Sequence, residues 1–325
     1  MLELRQEDET LLRGVIDMHL HAAPCLFRRP FDEIEIATQA RDAGYRGLVL
    51  KSIYSPNADR IQLVRKVVPG IELFGSIVFN HTVGGLNPHA MRAAIGFGVK
   101  VAWLPTVHAV RHVKYFGAPT YPWLAKRQSD PPDTRIEPIS LLDTSGKLKP
   151  EVTEILDLAA AAGVVIGTGH IDSQEIFAVL ERAREIGFDK VVCTHVGWHA
   201  TDWTRDEMKR MADLGATLEF TVNPTMPARQ RANPYDFARN ILAIGAERCV
   251  AGTDLGQIDN SHPIDGYRMF LRMLGDGGLS ERDIDLVARV NPARLLDLPP
   301  VIPVGSARRP DDAAGERRSG GGVGT

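Results

Sequence analysis

The feature that most limits this chain is one repeated pattern. A short apolar run that suits a buried strand is followed by a segment with helical spacing, and the pair recurs eight times. The strand-like runs are residues 15–21, 45–51, 71–79, 99–104, 164–167, 190–194, 217–222 and 248–252. The helical segments open on start signals such as Asn87-Pro88, Thr204-Arg205-Asp206-Glu207 and Asn233-Pro234. They stop at glycines such as Gly44, Gly163 and Gly245. Proline suits a first helical position, the Thr-to-Glu spacing is a capping box, and glycine takes the left-handed conformation that ends a helix. Strands that alternate with helices pair in parallel, because the helix provides the crossover. Eight units predict an α/β fold, a closed (β/α)8 TIM barrel. A doubly wound sheet is the competing arrangement, but it would gather its ligand at one reversal of strand order. It would not spread polar residues over so many strand ends.

The rhythm breaks once. Residues 105–149, after the fourth strand, are rich in proline and aromatics and have no clear period. They include His108, Arg111, His112, Lys114, Tyr115, Tyr121 and Trp123, and are read as a long loop insertion of the lid or binding type. From Pro299 onward the chain is rich in glycine, proline and charge, which predicts a disordered C-terminal tail. The expected division is a barrel over residues 1–298 and a tail over residues 299–325.

Composition excludes several classes. A net charge of -3 gives no footing for nucleic acid or an anionic membrane surface. No apolar run approaches the roughly 20 residues that span a bilayer. Residues 1–13 are charged and lack the apolar core of a signal peptide. Cys25, Cys193 and Cys249 are isolated, and an odd count makes a poor disulfide framework, so a reduced, cytoplasmic protein is expected. Barrels of this size commonly pair, which leaves a homo-oligomer open.

In a parallel barrel the strand C-termini open on one face, where such folds keep their active sites. Here those ends carry His19 and His21, Lys51, His81, His170, His195, Glu219 and Asp254, while the fourth ends on Trp103-Leu104. His19 and His21 lie two residues apart on a strand, so they share one face while Met18 and Leu20 point to the other. A lone histidine at a strand end is usually just hydrogen-bonded. Four of them and an aspartate on one rim would be costly to bury unpaired, and metal coordination accounts for them.

With these pieces in hand the chain resembles the amidohydrolase superfamily of metal-dependent hydrolases. The matching segments are D-M-H-L-H at the first strand, G-T-G-H at the fifth, C-T-H-V at the sixth, G-T-D-L at the eighth, and N-P-A-R-L-L near residue 291. The resemblance covers residues 14–298. It implies that His19, His21 and Asp254 bind a first divalent metal, and that His170 and His195 complete a second site or are shared between metal and substrate. Zinc is the expected ion, with manganese or iron as alternatives and one or two ions per chain. Two-metal members often bridge their ions with an acid or a carboxylated lysine on the fourth strand, and this fourth strand offers no acid at its end. Lys51 is the nearest substitute. It is read three ways: a carboxylated metal bridge, a charged contact for a substrate oxyanion, or a lysine paired with a local acid.

The reaction this implies is hydrolysis of an amide, lactone or related ester bond of a small molecule by metal-bound water. Asp254 would move the proton, and His195 or His170 would polarise the substrate oxygen. Lys51, His81 and His199 are the candidate substrate contacts, with Trp198 beside the last and the Gly84-Gly85 turn beside His81. Two rivals keep the metal: a single-metal decarboxylase of the same superfamily, and a non-catalytic metal-binding protein.

Overall fold

The computed structural model describes residues 10–121, 136–198, 200–229 and 232–300. Nine strands occur in chain order: β1 (Ile16–Leu20), β2 (Gly47–Leu50), β3 (Glu72–Phe74), β4 (Ser76–Val78), β5 (Val101–Trp103), β6 (Val165–Gly167), β7 (Val191–Cys193), β8 (Thr217–Thr221) and β9 (Cys249–Gly252). All pairings are parallel, in the orders β1-β2-β3 and β4-β5-β6-β7-β8-β9. Two seams join the sheets into the expected barrel.

The first seam is a break in what sequence reading takes as one third strand. Gly75 divides β3 from β4. A Cβ there would lie 2.4 Å from the Ala58 Cα, so only glycine lets the strand pass the start of helix Ala58–Val67. Buried Asn57 binds the break: its Oδ1 accepts from Ser76 N at 2.6 Å and its Nδ2 donates to the Leu50 carbonyl at 3.0 Å. That helix starts at Ala58, and the Asn57 side chain makes these tertiary bonds instead of capping it.

The second seam closes β9 on β1. Asp254 N donates to His19 O at 2.7 Å and His21 N to Leu255 O at 2.8 Å. Buried Asp17 accepts from Thr253 N at 3.0 Å and from Thr253 Oγ1 at 2.6 Å. Burial pushes this carboxyl up to about 7.

Strict alternation along β1 does not hold. Its register against β2 shifts between Asp17 and Leu20. Ile16 and Met18 pack inside the barrel with Val49, Val101 and Trp103, whereas Leu20 joins the apolar layer under the helices. His19 also faces inward, its ring 5.4 Å from Trp103. So Met18 and His19 share the interior, and the expectation that they oppose each other is corrected. A bulge of this kind re-aims side chains at a barrel rim.

The bottom of the barrel is shut. Ala293, Leu295 and Leu296, from the N-P-A-R-L-L segment, pack on the interior cluster with Ile16, Val165 and Val250. Asn291 Nδ2 fixes that segment by donating to the carbonyls of Ala246 and Cys249 at 2.8 and 2.7 Å. Lys100 Nζ, at the start of β5, bonds Asp297 Oδ2 at 2.7 Å on this same side. A short helix, Glu281–Asp285, passes into a π-turn, Leu286–Val290.

The aperiodic stretch contains more order than its sequence suggests. Val110–Phe116 is a two-turn helix ended by Gly117 at φ 76°, and Ala109 bridges Ile139 in parallel. Seven residues are too few for periodicity to register. Residues 122–135, with Trp123, lie outside the described residues, as does the expected tail from residue 301. Among the described residues no helix is long and apolar enough to cross a membrane.

Candidate metal centre and pocket

The open face brings together five of the residues singled out from the sequence. His19 and His21 come from the end of β1, His170 and His195 from the turns after β6 and β7, and Asp254 from the turn after β9. All are buried. His195 and Asp254 hold left-handed backbone, φ 64° and 50°, which costs a non-glycine residue of order 1–3 kcal/mol each. Strain of this kind persists where the surroundings impose it. Here Val196 N bonds Glu219 O at 2.9 Å and Thr201 Oγ1 bonds His195 O at 3.0 Å.

The hydrogen bonds fix which ring nitrogen carries the proton. His21 Nδ1 sits 2.9 Å from the Lys51 carbonyl, an acceptor, so the proton is on Nδ1 and Nε2 is bare. His19 Nδ1 lies 3.1 and 3.2 Å from the two Glu219 oxygens, which leaves Nε2 an acceptor, with Lys51 Nζ 3.0 Å from it. A third chain starts at the Thr120 carbonyl, 3.1 Å from His112 Nε2. His112 Nδ1 then accepts from His170 Nδ1 at 2.9 Å. His170 Nε2 is left buried with no partner. Burial holds the rings of His19, His21 and His195 down to about 3, and His170 well below its usual value, so all are neutral.

Those lone pairs face an anion. Asp254 Oδ1 is 3.0 Å from His21 Nε2 and 3.2 Å from His19 Nε2. Two acceptors that close repel unless a proton or cation stands between them. Burial works to raise the Asp254 carboxyl, but His19, His195 and the His21 contact hold it well below the carboxylate range. Asn223 Nδ2 also donates to its Oδ2 at 2.7 Å. One ligand atom each from His19, His195 and Asp254 lie within 4.8 Å of one another. Buried, neutral imidazoles with bare nitrogens around an ionised carboxylate are the donor set a divalent cation requires. His21 and His170 stand at the edge of that triad.

Lys51 Nζ is 3.0 Å from His19 Nε2 and 4.8 Å from the centre of the Trp103 ring. Burial lowers its ammonium to about 8, against the pull of Asp254 and Glu219. Trp103 ends β5, and that strand carries no acid.

His81 is set apart. It is exposed, and its Nε2 bonds the Glu137 carbonyl at 2.8 Å. The nearby helix Pro88–Gly96 has its first amides taken by Asn87 Oδ1, at 3.0 Å from His89 N and 3.2 Å from Ala90 N. These bonds occupy His81 Nε2 and the first amides of that helix, apart from the five residues above. His199 lies outside the described residues.

A small pocket of about 40 Å³ opens above His195 and Asp254. Its walls include Trp198 and Tyr121, and Trp198 packs 5.3 Å from the His195 ring and 4.9 Å from His170. Sequence reasoning missed the work of Glu219, His112 and Asn223. Glu219 carried a signal, an acid inside an apolar strand-like run. His112 and Asn223 carried none, since their meaning arises only from long-range contact.

Comparison with known proteins places these features. Residues 14–219 match a family described as a family of unknown function (DUF6282). No curated protein matches the chain in sequence. Among solved structures it is similar to an amidohydrolase from Pseudomonas aeruginosa, with a TM-score of 0.60, 13% identity, and 90% of this chain and 98% of that one covered. A probable dipeptidase, PvdM, from Pseudomonas aeruginosa gives 0.59 at 12% identity, covering 90% and 97%. An organophosphorus hydrolase from Deinococcus radiodurans gives 0.55 at 14% identity, covering 87% and 92%. At such identities the likeness is one of fold, and the fold is the amidohydrolase-type barrel that the motifs resemble. Since the family match runs through more than half of the sequence, from β1 into β8, the chain belongs to the DUF6282 family.

Proposed function

We propose that this protein is a metal-dependent hydrolase of the amidohydrolase type, acting on an amide, lactone or related ester bond of a small molecule. One observation carries the reading: the unprotonated ring nitrogens of His19 and His21 are both turned onto the ionised Asp254, at 3.2 and 3.0 Å. The solved structures with this fold include an amidohydrolase, a probable dipeptidase and an organophosphorus hydrolase, which supports hydrolysis over other chemistry. His19, His195 and Asp254 would hold the ion, with His21 and His170 completing its surroundings. A histidine and carboxylate set suits zinc, manganese or iron.

A bound divalent ion supplies acidified water and a Lewis acid. The chain's own residues do the rest. Asp254 accepts the proton of the attacking water and returns it to the leaving group. Asn223, donating to Oδ2, holds that carboxylate in one orientation. His195 lines the pocket, which would set the ion it holds beside the substrate oxygen. Trp198 and Tyr121 narrow the mouth and exclude bulk water. Lys51 is not among the residues that line the pocket, and it is assigned to balancing Asp254 and Glu219.

A second reading keeps the ion and changes the reaction. Trp103 at the end of β5, in place of a bridging acid, favours a single ion, which is also the arrangement of a decarboxylase. Carbon dioxide release without consumption of water would identify that chemistry.

Elemental analysis of the purified protein is expected to find a divalent transition ion at about one per chain. On a panel of amides, lactones and phosphoesters, Asp254→Asn should lower kcat by about 10²–10⁴-fold with unchanged circular dichroism. His19→Ala should lose the ion itself. A protein that binds no ion and keeps its activity after chelation would overturn the reading.

A further inference from the structure

Two guanidinium groups line the same pocket as His195 and Asp254: Arg29, from the turn after β1, and Arg229, from the turn after β8. Arg29 is pinned at one end. Its Nη1 donates to the Gly256 carbonyl at 3.1 Å and its guanidinium lies 5.9 Å from the Phe27 ring centre. Its Nε is buried with no hydrogen-bond partner. The loop bearing Gly256 reaches this position only because that residue has no side chain, since a Cβ would lie 1.9 Å from the His21 carbonyl oxygen. Arg229 differs: its Nη1 pairs with Asp259 Oδ2 at 3.4 Å. Asp254 does not answer Arg29, because its Oδ1 faces His21 and His19 and its Oδ2 takes the Asn223 amide. Among the described residues no acid pairs with Arg29, so it brings about one positive charge to a wall that also holds Trp198 and Tyr121.

We propose that this pocket selects a substrate with a single carboxylate group, seated on Arg29 with Arg229 beside it, and a flat apolar body between Trp198 and Tyr121. A planar carboxylate matches a guanidinium in two parallel hydrogen bonds, and one unneutralised charge suits a monoanion better than a phosphate dianion. The proposal rests on the hydrolase reading for the position of the scissile bond, over Asp254 and His195. The anion contact itself needs no ion.

The test uses full-length, metal-stripped protein and calorimetric titration with benzoate, phenylacetate, their primary amides, and inorganic phosphate. The acids are expected to bind at least about tenfold tighter than their amides and tighter than phosphate. Arg29→Gln should bring acids and amides within about threefold, and Arg229→Gln should weaken the acids by a smaller factor. Metal content of Arg29→Gln should equal that of the unaltered protein. Equal affinity for acids and amides, a preference for phosphate, an acid preference that survives Arg29→Gln, or no acid bound up to about 10 mM would each overturn the proposal. If Arg29→Gln fails to fold, the acid-to-amide ratio of the unaltered protein and of Arg229→Gln decides. An acid preference in a protein that never retains an ion would sink the hydrolase reading and leave the carboxylate site standing.

Discussion

His170 depends on a neighbour that its own strand does not supply. Its Nε2 is available because His112 accepts the Nδ1 proton, and His112 accepts because its own proton is held by the Thr120 carbonyl. His112→Phe keeps the ring volume and removes the acceptor. The two tautomers of His170 then compete, and ion affinity should fall by about 10–100-fold, the usual effect of removing a residue that orients a ligand. Chelator competition measures this directly, and an unchanged affinity would show that His112 serves packing alone. Glu219 stands to His19 as His112 does to His170. The sequence made His19, His21, His170, His195 and Asp254 visible because their motifs are short and local. The residues orienting them were invisible because Glu219 is 200 positions from His19 and His112 is 58 from His170.

Among the elements, the barrel was legible because each strand-helix unit carries its own punctuation. A capping box stands where the sequence suggests, at Thr204 with Glu207, and the structure adds another at Asp172 with Glu175. What escaped was the local fault in each of two strands. The bulge in β1 and the break at Gly75 arise from crowding between elements, and an apolar run reads the same with or without them. Gly75→Ala places a methyl 2.4 Å from the Ala58 Cα. Backbone cannot yield as a side chain can, so the variant should lose about 1–3 kcal/mol in urea unfolding, as overpacking typically does. A change below about 0.5 kcal/mol would mean that the strand has room to slide. The helix Val110–Phe116 was missed for a different reason: it is too short for its pattern to rise above a proline-rich background.

Across the whole molecule, the two ends of the barrel carry opposite duties. The lower end holds Asp297 between Lys100 and Lys190, and the balance of these contacts lowers its carboxyl below the usual value even though burial works against it. A depressed carboxyl stabilises the fold above the unfolded value of 3.8, and that contribution is lost as pH falls through the folded value. Lys100→Met should therefore narrow the difference in stability between neutral and acidic pH in thermal melts. The effect should be small, because Asp297 is half exposed and solvent screens the pair. An acid limb identical in the two proteins would remove the clamp from the account.

The apolar plug of Ala293, Leu295 and Leu296 has a kinetic consequence. With the far end of the barrel packed shut among the described residues, a substrate of the proposed hydrolase would enter, and its products leave, past Trp198 and Tyr121. A spent fragment must leave before the next molecule enters. Any product that keeps the carboxylate should then inhibit competitively, raising KM while leaving kcat untouched.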